Sequence, residues 1–81
     1  MREVVLELMS ILARGAEADD ECADQLADTA ADAAIAGDHL IASGMIRLAR
    51  HHRIRALELR GTLAALSAEH GGIFHQDLAE D

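Results

Sequence analysis

The sequence predicts an all-α protein, an antiparallel helical hairpin that dimerises into a four-helix bundle. First, 17 Ala and 11 Leu dominate the apolar residues, and these are the strongest apolar helix formers. Second, Phe74 is the only aromatic residue and Pro is absent, whereas strands favour aromatic and β-branched side chains. Third, apolar residues recur at every third or fourth position along most of the chain, which is the period of an α-helix.

The first helix is predicted over residues 2 to 36, because small or apolar residues recur along one face of this segment. This stripe consists of Val4, Leu8, Ile11, Gly15, Ala18, Cys22, Leu26, Ala30 and Ala33. Glycine weakens a helix interior, so a break near Gly15 is an alternative to one continuous helix.

Gly37 and Asp38 predict the reversal of the chain, because Gly commonly ends a helix and Asp commonly caps the next one. The second helix is predicted over residues 38 to 70. One apolar stripe on it consists of Ile41, Met45, Leu48, His52, Ala56, Leu59, Leu63 and Leu66, and a second of Ile46, Ile54 and Leu57. A helix that is apolar on two sides has more surface to bury than one partner helix covers.

Residues 1 to 72 are predicted to form a single domain, and residues 73 to 81 a short tail whose Phe74 docks back onto the helices. A short chain rich in alanine and without a disulfide buries too little apolar surface to be very stable alone. Association of two copies supplies the missing burial, so we expect a homodimer.

Charge and cysteine content indicate which partners and which cellular compartment the protein has. The net charge is −8 and Lys is absent, which argues against direct nucleic-acid binding. No apolar run is long enough to span a membrane, and no charged-then-apolar segment has the pattern of a secretion leader, so we expect neither membrane insertion nor secretion. Cys22 is the only cysteine, which fits a reducing compartment, and we expect it to be a small buried residue. The prediction is a cytoplasmic protein, and the arginine and alanine content is typical of bacterial or phage genes.

Acidic and basic residues lie in two separate blocks. Between Glu17 and Asp38 there are eight acids and no base, whereas five of the seven arginines lie between Arg47 and Arg60. A reversal at Gly37 lays one block against the other. It places Asp28 near Arg47, Asp24 near Arg50 and Asp20 near Arg55, each within a helical turn. The alternative is an acidic face that binds a basic partner through Asp19, Asp20, Glu21, Asp24, Asp28 and Asp32.

These features predict a non-enzymatic interaction or regulatory protein that needs no cofactor. No Ser–His–Asp spacing, phosphate loop or nucleotide fingerprint appears in the sequence, so no catalytic residue is predicted. A sharper hypothesis is an inhibitor of the anti-defence type, whose acids occupy the nucleic-acid site of a basic protein.

One segment suggests a different function. His52-Arg53-Ile54-Arg55 resembles the His-x-(Leu/Ile)-(Lys/Arg) core of histidine phosphotransfer and histidine-kinase dimerisation domains, which also form four-helix bundles. The resemblance implies that His52, or the adjacent His51, accepts a phosphoryl group. Because His52 lies on an apolar stripe, a packed or interfacial histidine is the competing interpretation.

A longer pattern extends from Leu8 to Gly72. Its marks are Leu8, Ile11, Leu12, Gly15 and Glu17 in the first helix, then Ile41, Met45, Ala49, Arg53, Ala56, Glu58 and Leu59 in the second, followed by Gly71 and Gly72. This pattern resembles the small bacterial ferritin-like helical-hairpin domains of unknown function, and the resemblance implies a hairpin. The Glu-x-x-His ligands of di-iron members are absent. No metal ligand is therefore predicted, and ferritin-like metal binding stays an alternative function.

Overall fold

The computed structural model describes residues 1–70, which form two long helices packed side by side. Helix α1 spans Arg2–Ile35 and helix α2 spans His39–Glu69, and no strand occurs within residues 1–70. The predicted all-α hairpin is confirmed. The predicted tail, with Phe74, lies outside the described residues.

The turn between the helices depends on the glycine that the sequence singles out. Gly37 has a φ of 90°, a left-handed conformation that residues with a Cβ rarely adopt. The Gly37 amide donates to the carbonyl of Ala34 (3.1 Å), and the Asp38 amide donates to that of Ala33 (2.8 Å). These bonds satisfy carbonyls that the end of α1 leaves without helical partners. Asp38 occupies the N-cap position of α2, but its side chain makes no capping hydrogen bond.

An alanine seam joins the two helices. Its members are Ala16, Ala23 and Ala30 of α1 and Ala42, Ala49 and Ala56 of α2, each at most 5% exposed. They recur at every seventh residue, the spacing that keeps one face of each helix against its partner in a coiled coil. Methyl side chains let the two backbones approach closely, so the contact is long but each layer buries little apolar area.

The predicted stripe of α1 is wrong by one position between Val4 and Cys22. Val4, Leu8 and Ile11 are 64%, 42% and 51% exposed, whereas Val5 is buried. The exposed stripe and the seam have the same spacing of three and four residues and differ by one position in the sequence. Larger apolar residues favoured the first interpretation, but close packing of the helices selects the stripe that carries alanine.

Gly15 does not interrupt α1, which is helical throughout Arg2–Ile35. A Cβ built on this glycine would lie 3.3 Å from Cδ1 of Leu59. Gly15 therefore leaves room for a leucine of the facing helix, and the break considered near this position is absent.

The hairpin is thin and exposes much apolar surface. It measures 59 × 20 × 15 Å, and no large side chain of the described residues is fully buried. The accessible surface is 5895 Å², whereas a compact globular monomer of this mass exposes roughly 4,700 Å². Dimerisation into a four-helix bundle remains a prediction. Neither helix has an apolar stretch long enough to cross a bilayer.

Candidate functional site

A polar layer, formed by Asp19 and His52, interrupts the apolar seam. Asp19 is only 8% exposed, and Nδ1 of His52 donates to its Oδ1 across 2.8 Å. Nε of Arg55 lies 3.7 Å from the second carboxylate oxygen. A buried carboxylate needs such partners, because an unpaired charge out of water costs far more than a paired one.

The heptad spacing of the seam places both members of the polar layer. Asp19 follows Leu12 by seven residues and precedes Leu26 by seven, and His52 stands in the same relation to Met45 and Leu59. The position of His52 on the inner stripe of α2 is thus as predicted. The pairing with Asp19 was not predicted, because Asp19 belongs to a row of acids in the sequence that favours an exposed acidic face.

The hydrogen bond to Asp19 selects the tautomer of His52. A carboxylate accepts hydrogen bonds and does not donate them when ionised, so Nδ1 carries a proton. The side chain of His52 is 24% exposed, and its ring lies 6.0 Å from that of the exposed His51, measured between centroids. Of the two predicted phosphoacceptors, His52 is therefore engaged and largely covered, whereas His51 is open to solvent.

One side of the hairpin, the charged side, carries two ion pairs between the helices. Arg60 donates to Asp20 across 2.5 Å, and Arg53 lies 3.3 Å from Asp24. Acid and arginine blocks therefore face each other. Asp24 pairs within a turn of the predicted Arg50, whereas Asp20 pairs five residues beyond the predicted Arg55, and Asp28 makes no ion pair within residues 1–70. Only side chains at positions that flank the seam can reach across it. Pairing residues by their distance from the turn alone does not take this condition into account.

The six acids predicted to bind a partner do not share one environment. Asp19 is buried in the polar layer, and Asp20 and Asp24 are paired with arginines of α2. Glu21, Asp28 and Asp32 are exposed, as is Glu17, and none of these four makes an ion pair within residues 1–70. The acids free to meet a partner are thus fewer than predicted, and Glu17 joins them.

The opposite side, the apolar side, is formed by exposed apolar residues that flank the seam. Its members are Val4, Leu8, Ile11 and Cys22 of α1 and Ile41 and Leu48 of α2. Cys22 is exposed, so the expected burial of this residue is wrong. It lines an open groove of about 380 Å³ together with Gln25, Leu48 and His52.

Fold and site together define the chain as an antiparallel, alanine-seamed helical hairpin with one buried acid–histidine layer. No protein-family model, no curated protein and no solved structure matches it. Within residues 1–70, no group of three or more His, Cys, Asp or Glu side chains is arranged to hold a metal ion.

Proposed function

We propose that this protein is a homodimeric, non-enzymatic interaction protein that presents an acidic stripe of α1 to a basic protein. The stripe consists of Glu17, Glu21, Asp24 and Asp28, which follow one another at intervals of three and four residues and so lie along one face of the helix. The observation that carries the proposal is that all four are exposed and only Asp24 has an ionic partner within the described chain.

The charge density of the stripe favours a basic protein surface as the partner. Four charges fall within about 17 Å of helix, at a rise of ~1.5 Å per residue. Duplex DNA carries one charge per ~1.7 Å, so a single stripe has roughly a third of that density. Competition with nucleic acid, the sharper inhibitor hypothesis, therefore calls for the two stripes of a dimer acting together.

The apolar side supplies the surface on which two copies associate. Val4, Leu8 and Ile11 of α1 continue along the hairpin into Cys22 and Leu48, with no acid or base on the α1 stripe between Val4 and Thr29. Specific protein interfaces bury more than ~1,000 Å² in total, and a rod of this length offers that area along one side. Pairing of two apolar sides would form the four-helix bundle.

Analytical ultracentrifugation over a range of concentrations tests the dimer. The wild type is expected to sediment at twice the chain mass of 8.7 kDa, and Leu48→Asp is expected to sediment as a monomer. Ile54→Asp is the matched control, because Ile54 is exposed to the same 53% as Leu48 but lies away from the apolar side. A monomeric wild type contradicts the dimer, and equal dissociation by both variants contradicts the choice of surface.

Affinity capture from the native host tests the acidic stripe. Wild-type bait is expected to retain basic proteins, and bait carrying Glu21→Arg with Asp28→Arg is expected to lose them. A bait with Glu3→Arg and Glu7→Arg has the same net charge and serves as control. Equal loss of the proteins by both variant baits would show that net charge, not the stripe, retains them, and equal capture by all three baits would contradict a role of charge altogether. Release of the captured protein by added DNA or RNA would support the inhibitor form.

Phosphotransfer through His52 is the second candidate function. The observation that favours it is the Asp19 carboxylate on Nδ1, which orients the ring and leaves Nε2 as the nitrogen available to a phosphoryl donor. Acid-labile phosphate is expected on the wild type after incubation with host kinases and is expected to be absent from His52→Ala. His51→Ala is the control, and label that persists in His52→Ala would rule this candidate out.

A further inference from the structure

The geometry points to a binding groove for a phosphate group on the charged side, next to the turn, a site independent of the acidic stripe. The groove has a volume of about 460 Å³, and its lining includes His39, Ser43, Ile46, Arg47 and Arg50 of α2. We propose that Arg47 and Arg50 hold the phosphate of a small phosphorylated molecule, assisted by His39 and Ser43.

The two arginines of this groove differ from the other arginines of α2. Arg53, Arg55 and Arg60 each lie within 4 Å of an acid of α1. Arg47 and Arg50 make no ion pair within residues 1–70. The chain has 15 acids for seven arginines, so two guanidinium groups without a counter-charge need an explanation in the fold.

The explanation is a change of residue type along α1. On the charged side, Asp20 and Asp24 face arginines of α2, and the following turns of α1 continue the same side with Ala27, Ala31 and Ala34. Ala34 forms part of the wall of the groove. Alanine offers neither a charge nor bulk, so the row of acids ends where the groove begins. The open volume of the groove and the lack of acid partners for Arg47 and Arg50 therefore have one cause, the alanines of α1.

The donors fit a phosphate group better than a single carboxylate. Each guanidinium presents a planar fork of N–H groups that matches two oxygens of a phosphate, and Ser43 adds a hydroxyl. Consecutive members of the set His39, Ser43, Arg47 and Arg50 lie about one turn apart on one side of α2, so the whole set spans about three turns. Long side chains of a helix extend back toward its N-terminus, which brings the guanidinium groups closer to Ser43 and His39.

His39 is the first residue of α2, so one end of the groove lies at the start of a long helix. Helix α2 has 31 residues, and its N-cap side chain makes no hydrogen bond to the first turn. The first amides of a helix lack helical acceptors, and the helix dipole favours a negative group there. Asp38, the nearest acid in sequence, is not among the lining residues.

Titration of the full chain with inorganic phosphate and with phosphoserine, followed by amide NMR, tests the site. Saturable shifts are expected in the segment 39–50, with affinity that falls as salt is added, because exposed charges are screened. Acetate is the comparison anion, and it is expected to bind at least tenfold more weakly. Equal binding of acetate would overturn the assignment to phosphate.

Arg47→Gln with Arg50→Gln tests the proposed residues and is expected to weaken phosphate binding at least tenfold. Arg53→Gln with Arg60→Gln makes the same change in net charge at arginines that already have acid partners, and it is expected to retain wild-type affinity within about twofold. The proposal fails if the wild type shows no saturable binding. It also fails if both variants bind phosphate equally well, which would mean an adventitious ion only, or if the groove variant dissociates the dimer. The last outcome would show that acids of a second copy occupy the groove.

Discussion

Replacement of His52 by leucine is expected to destabilise the hairpin by removing the one side chain within residues 1–70 that donates a hydrogen bond to the buried carboxylate of Asp19. Asp19 is 8% exposed, and its other cationic neighbour, Arg55, lies 3.7 Å away. A hydrogen bond to a charged group contributes ~1.5–3 kcal/mol, and loss of one partner of a buried pair costs ~3–5 kcal/mol. Because Arg55 remains beside the carboxylate, we expect His52→Leu to lose about 2 kcal/mol of unfolding free energy, at the low end of these ranges.

The double variant Asp19→Leu with His52→Leu shows whether the loss of stability comes from a buried carboxylate without its hydrogen bond or from a simple loss of packing. It turns the polar layer into an apolar one, as at Leu12 and Leu26 one heptad to either side. Replacement of both members of a buried pair by apolar residues is often neutral or stabilising. The double variant is therefore expected to recover to within ~1 kcal/mol of the wild type or to exceed it. His51→Leu makes the same chemical change at an exposed neighbour and is expected to alter stability by less than ~0.5 kcal/mol.

Thermal and urea unfolding, followed by far-ultraviolet circular dichroism, measure these differences. All variants must be compared at one protein concentration, because the stability of an associating protein depends on it. A loss of about 2 kcal/mol corresponds to a fall in Tm of roughly 8–16 °C in a domain of this size. The reasoning is refuted if His52→Leu unfolds with the wild type, or if the double variant is less stable than His52→Leu.

Four further substitutions and one control test the helices, the seam and the turn by the same unfolding measurement. Gly61→Ala is expected to add up to ~1 kcal/mol from helix propensity, because nothing lies within 4 Å of the new Cβ. Gly15→Ala is expected to gain less, since its Cβ would lie 3.3 Å from Leu59, and an equal gain would contradict the close contact. Ala56→Leu is expected to cost ~1–3 kcal/mol by overpacking the seam, and exposed Ala64→Leu is the control that should stay near the wild type. Gly37→Ala is expected to cost ~1–2 kcal/mol through its left-handed φ, and a neutral result would contradict that turn.

The fold could be predicted because its signals are local. Gly37 and Asp38 lie at the reversal, and alanine and leucine on either side of it favour helix strongly enough to fix the two elements. The sequence does not determine which face of α1 packs against α2. The stripes that begin at Val4 and Val5 have one spacing, and the choice between them depends on how closely the two helices approach, which is a property of the pair.

The candidate site was harder to predict, because it depends on contacts across the hairpin. Asp19 is one of a row of acids in the sequence, and nothing local distinguishes it from Asp20. The one available signal was its position seven residues after Leu12, which places it on the inner face. Arg47 and Arg50 were likewise grouped with the other arginines of their block, and only the alanines of the facing helix leave them without acids.

The seven-residue spacing of the seam has a consequence for how the chain folds. If α2 slid along α1 by one heptad, alanine would again meet alanine, and the apolar contacts would change little. Asp19, however, would then face Met45 or Leu59 and lose its hydrogen bond. Competing hairpins of nearly equal apolar energy are therefore disfavoured by loss of the hydrogen bond to the buried carboxylate of Asp19 and by the short connection at residues 36–38. A longer connection would remove the second constraint and leave the choice among these arrangements to the Asp19–His52 pair and the ion pairs of Asp20 and Asp24.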